Sequence, residues 1–125
     1  MTSRFVQWTL DVHDVGTMSR FWSAALGYLE SRGSDGNAKL FPPPGALPDA
    51  PTLWLQASAG PKRDKNRNHP DLVPSDGDVD AEVDRLLTLG ARHVDVGQTD
   101  ADPFVVLADP EGNEFCVLRR MPRRG

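Results

Sequence analysis

Near the end of the chain runs Val105-Val106-Leu107-Ala108-Asp109-Pro110-Glu111-Gly112-Asn113-Glu114-Phe115-Cys116-Val117-Leu118. Two apolar segments flank Asp-Pro-Glu-Gly, and each residue of that tetrapeptide suits a type I turn. Asp at the first position accepts from the turn's own backbone, Pro presets φ at the second, and Gly closes the fourth. The stretch therefore reads as a β-hairpin with a long buried strand on each side.

Upstream, the same grammar runs through the chain twice. Phe5-Val6-Gln7-Trp8-Thr9-Leu10-Asp11-Val12-His13 puts apolar residues at even positions and mostly polar ones at odd positions. A period of two means a half-buried strand. Asp14 or Thr17 then caps a helix with Met18, Phe21, Trp22, Ala25 and Leu26 at helical spacing, and Gly27 stops it. Short strands are expected at 28–31, 39–41 and 52–57. The second half repeats the order: a strand over 69–75, then a helix capped by Asp76 or Asp78 and ended at Gly90. Strands at 93–96, 104–108 and 114–119 follow. Leu10 and Leu72 recur at nearly the spacing of the two stop glycines, a duplication of pattern rather than of identity. The proline-rich run from Pro42 to Pro51 is a loop, since proline breaks helices and central strands. The polar segment from Gly60 to Asn68 is a linker.

This pattern predicts an α+β fold of two βαβββ modules, 5–57 and 69–119, within one domain over 1–125. A helix covers one face of each curved mixed sheet. The opposite faces must line something. Parity places Gln7, Thr9, Asp11 and His13 there, together with Trp54 and Gln56, His69, Asp71 and Val73, and Glu114, Cys116 and Leu118. Polar side chains from several strands on one face imply a cavity rather than a second core. Trp54 offers that cavity a ring for stacking on a flat ligand. Gln7 and Gln56 have a plainer reading, in which each satisfies the other across the sheet.

Composition narrows the field. The chain has 125 residues, a net charge of −4 and a single cysteine. The length suffices for a core without disulfides, and one cysteine fits a reducing, cytoplasmic setting. No apolar run approaches the roughly 18 residues of a membrane span. The body is not a polyanion binder, although Arg119, Arg120, Arg123 and Arg124 make a basic tail, read as a solvated terminus. Neither nucleic acid nor membrane is an expected partner. Lys62, Arg63, Lys65 and Arg67 precede His69 and stand where they would draw an anionic substrate to the cavity mouth. There is no glycine-rich nucleotide fingerprint, no nucleophile elbow and no Cys-x-x-Cys.

Leu10-Asp11-Val12-His13-Asp14 leading to Phe21-Trp22 and Leu26-Gly27-Tyr28, then Asn66 to Leu72, Leu89-Gly90-Ala91 and Asp109 to Asn113, carry a likeness to a known family. From Phe5 to Leu118 the chain resembles the glyoxalase-like members of the vicinal oxygen chelate (VOC) superfamily. That superfamily also holds lactoylglutathione lyases, extradiol dioxygenases and bleomycin-resistance proteins. The resemblance implies that the two sheets form a glyoxalase-like (VOC) cavity, and that chains pair as homodimers. The family's metal enzymes draw one ligand from each of strands one, four, five and eight, positions that correspond here to Gln7, Gln56, His69 and Cys116. Gln7 and His69 are acceptable there, but Gln56 and Cys116 stand where carboxylates are expected. Those four positions offer no hard anionic oxygen. The expectation is therefore no resident cofactor, a divalent metal being the alternative.

The function that follows is binding of a small organic ligand in a sheet-lined cavity. Gln7, Thr9, Trp54, Gln56, Asp71, Glu114 and Cys116 are its contacts. The alternative is a lyase or isomerase acting on a small carbonyl or hydroxylated compound, with His69 as base or metal ligand. Lactoylglutathione lyase activity is not expected. A third reading is a dimerisation module with a filled cavity.

Overall fold

The computed structural model describes residues 1–58 and 60–123. Arg124 of the basic tail lies outside them. The chain forms two compact units, Met1–Pro61 and Lys62–Gly125.

In the first unit, β1 (Gln7–Val12) leads to α1 (Val15–Leu26), followed by β2 (Leu29–Arg32), β3 (Ala38–Phe41) and β4 (Thr52–Ala57). The sheet order is β1-β4-β3-β2, with β1 parallel to β4 and the other pairs antiparallel. Asp14 caps α1 by accepting from the Thr17 amide at 3.1 Å, and Gly27 ends the helix in the left-handed region at φ 68°. The alternation in β1 and β4 decides which face is buried. Leu53 and Leu55 pair with Leu40 and Ala38 on the face that packs under α1, where Met18, Phe21 and Trp22 close the core.

The second unit repeats this plan. Its elements are β5 (Asp71–Leu72), α2 (Val79–Leu89), β6 (Arg92–His93), β7 (Phe104–Ala108) and β8 (Glu114–Leu118), in sheet order β5-β8-β7-β6. Asp78 caps α2 through the Ala81 amide, while Asp76 accepts from the amide of Asp78 itself. Leu107, Phe115 and Val117 are fully buried in this unit's core with Leu86. The Asp109 turn closes with the Gly112 amide on the Asp109 carbonyl at 2.8 Å. Asp109, itself fully buried, accepts through Oδ1 from the amides of Glu111 and Asn113. Gly112 sits at φ 91°, which completes the reversal into β8.

Two strands are much shorter than the sequence expectation. The strand read over 69–75 is only Asp71–Leu72, so His69 precedes the strand instead of belonging to it. Pro70 and Pro74 bracket it, and neither has an amide to donate to a ladder. Pro70 contributes its carbonyl alone, to the Cys116 amide at 3.0 Å. The strand read over 93–96 is Arg92–His93. There Gln98 donates to the Val94 carbonyl and accepts from the Val96 amide, turning the chain away. Among the described residues, no helix is long and apolar enough to cross a membrane.

Candidate functional site

On the first sheet, parallel pairing aligns Gln7 with Thr52, Thr9 with Trp54 and Asp11 with Gln56. Registered partners project to one side, so these six share the face away from α1. Gln7 Oε1 accepts from the Thr52 hydroxyl at 2.8 Å, and Asp11 accepts from the Ser58 hydroxyl at 2.7 Å. Gln7 and Gln56 lie at opposite ends of the ladder, so the two amides do not satisfy each other. Trp54 is half-buried, whereas Phe5 is 59 % exposed and packs its ring against Trp8.

On the second sheet, Asp71 pairs with Cys116, Cys116 with Val106, Phe104 with Leu118 and Ala108 with Glu114. The same parity puts Phe115 and Val117 under α2 and leaves Glu114, Cys116 and Leu118 on the other face. That face lines a recess of about 460 Å³. Val96, Phe104, Val106 and Leu118 supply apolar walls, and His69, Asp71, Cys116, Glu114 and Lys65 supply polar groups. Lys65 belongs to the basic run that the sequence places at the cavity mouth, whereas Val96, Phe104 and Val106 escape the sequence reading. For Phe104 and Val106, parity along β7 was the usable signal, whereas Lys65 and Val96 arrive from loops.

His69 Nδ1 lies 3.5 Å from Asp71 Oδ1 and 3.9 Å from Cys116 Sγ. Ligand atoms of these three residues all fall within 4.8 Å of one another. Both close contacts of the ring are made by one nitrogen. A Cys-His-Asp relay needs the two ring nitrogens to face different partners, so the cluster is not a thiol triad. Burial pushes the Cys116 thiol up to about 11, with the Asp71 charge and hydrogen bond adding to it. A protonated thiol is the neutral-pH form, which is a poor nucleophile.

Glu114 is already engaged. Its Oε1 accepts from the Asn66 amide at 2.9 Å and its Oε2 meets Lys62 Nζ at 3.0 Å. Lys62, read as part of an anion-attracting run, is thus committed to a carboxylate, and Lys65 is the cation of that run that lines the recess. Asp71, read as a ligand contact only, supplies a carboxylate beside His69 and Cys116 that the four family-equivalent positions do not.

The sequence model of the glyoxalase-like domain family matches residues 7–118. This chain belongs to that family. Its glyoxalase-like fold recurs in solved structures. The fosfomycin resistance protein FosX from Mesorhizobium loti superposes with a TM-score of 0.73 at 16 % identity, over 97 % of this chain and 94 % of its own. A glyoxalase/bleomycin resistance protein/dioxygenase family enzyme from Burkholderia phytofirmans PsJN gives 0.69 at 15 % identity, over 92 % and 97 %. A variant of FosX from Listeria monocytogenes, complexed with Mn(II) and 1S,2S-dihydroxypropylphosphonic acid, gives 0.73 at 14 % identity, over 97 % and 93 %. At such identities the likeness is one of fold, and fold does not fix chemistry. No curated protein matches the chain significantly.

Proposed function

We propose that this glyoxalase-like chain binds a small organic molecule in the recess of the second sheet. Its apolar portion would lie against Phe104, Val106 and Leu118, and its polar end would meet His69, Asp71 and Cys116. The observation that carries this reading is the recess itself, about 460 Å³ with apolar walls converging on a polar cluster at one place. Small-molecule sites commonly have that size and that division of labour. On the first unit taken by itself, Gln7, Thr9, Trp54 and Gln56 share one open face of the sheet and are proposed as ligand contacts there. A homodimer and a cytoplasmic setting belong to the same reading, and light scattering on the purified protein checks the first.

The second reading is a lyase or isomerase for a small carbonyl or hydroxylated compound, with His69 as the base. The proximity of Asp71 to His69 favours it, since a carboxylate beside an imidazole orients the ring. A thermal-shift panel of small aromatic and dicarbonyl compounds tests binding, followed by mass spectrometry of any compound that stabilises the protein. Stabilisation lost in Phe104→Ala and His69→Ala, with the compound recovered unchanged, establishes the binder. Conversion that disappears in His69→Gln establishes the enzyme. Stabilisation indifferent to both recess substitutions removes the ligand from this site.

A further inference from the structure

We propose that His69, Asp71 and Cys116 form a three-donor cation site that takes zinc in preference to manganese or magnesium. The case rests on the donors and their spacing. The three side chains come from the segment before β5, from β5 and from β8, and the Asp71–Cys116 pairing holds two of them on one face. Tetrahedral zinc with bond lengths of about 2.0 Å to nitrogen or oxygen and about 2.3 Å to sulfur spaces its nitrogen and sulfur ligands about 3.6 Å apart. The corresponding nitrogen–oxygen spacing is about 3.3 Å. The observed 3.9 Å and 3.5 Å lie close to these values, and all three ligand atoms fall within 4.8 Å of one another.

The donor set then selects the ion. One imidazole, one carboxylate and one thiolate suit a borderline-soft cation with low coordination number. Manganese and magnesium favour hard oxygen ligands and six-coordination, which a thiol in place of a carboxylate opposes. Three protein donors would leave a fourth position for a non-protein ligand, as in catalytic rather than structural zinc sites. When bound, such an ion supplies Lewis acidity toward an oxygen of the recess ligand. Cation uptake is separable from the organic-ligand reading, because it requires no organic compound.

The test is competitive equilibrium dialysis of the chelator-treated full chain against equimolar zinc and manganese, with metal content read by mass spectrometry. Zinc retention near one per chain with manganese at background is expected. Cobalt loading then reports the thiolate directly, as a sulfur-to-cobalt charge-transfer band. The band should vanish in Cys116→Ser, while Asp71→Asn keeps it and weakens zinc binding by about tenfold or more. Asp71 is 48 % exposed, so its substitution does not depend on repacking a core. Equal manganese uptake, zinc uptake insensitive to all three positions, or no retained metal overturns the proposal. Those results leave the thermal-shift outcome standing, and a failed compound screen leaves the metal result standing.

Discussion

Glu114 is 5 % exposed, and burial by itself would push its carboxyl upward. The Asn66 amide and the Lys62 ammonium outweigh that burial and hold it below the ordinary value of 4.5. A carboxyl depressed in the folded state adds stability above its unfolded pKa and loses it as pH falls through the folded value. Acid therefore loosens the tie between the Lys62–Asn66 segment and the β7–β8 hairpin. Glu114→Gln is expected to cost roughly 1 to 3 kcal/mol at pH 7, since it weakens a charge-assisted hydrogen bond and leaves Lys62 without its charge partner. Urea midpoints followed from pH 7 to pH 3 should fall more steeply in the parent than in Glu114→Gln, and parallel slopes would refute the role. The sequence marks Glu114 as an open-face carboxylate, but its two partners come from a loop, and no local rule pairs a loop lysine with a strand glutamate.

At the scale of elements, local rules decide most of the outcome. Sequence alone leaves Asp76 and Asp78 open as caps of α2. The structure selects Asp78, whose side chain reaches the Ala81 amide, and α2 adds Asp80 and Glu82 in its first turn, where carboxylates favour the helix dipole. Asp78→Ala should destabilise the protein by about 1 kcal/mol, and Asp76→Ala by distinctly less. Paired thermal melts of the two variants decide between them, with equal losses refuting the assignment. Strand length was harder to read. Alternation around Leu72 invites a long strand, yet Pro70 and Pro74 withhold the amides a ladder consumes, and β5 stops at two residues. Caps, stop glycines and the Asp109 turn depend on neighbours in sequence, so they are legible there. Ladder ends depend on a partner strand.

For the whole molecule, the formal charge of −4 sets the expected response to polyanions. The cations near Glu114 and Asp80 are partly matched, with Lys62 paired to the first and Arg119 3.8 Å from the second. Retention on duplex DNA at physiological salt is therefore expected to be undetectable by fluorescence anisotropy. A saturable, salt-dependent rise would contradict that expectation and point to the basic C-terminal residues.

Alternation, caps and turn chemistry, all properties of a few adjacent residues, determined by themselves that this chain is an α+β protein with two similar halves. They also determined which side of each strand is apolar, because side-chain direction along a strand is fixed by covalent geometry. Only the tertiary structure decided what those sides meet. Register brings Asp71 to Cys116 and loop placement brings His69 and Lys65 beside them, while Lys62 is drawn to Glu114. Contacts between residues far apart in sequence depend on how β5 and β8 pair and where the loops settle, and that is set by packing of the whole unit.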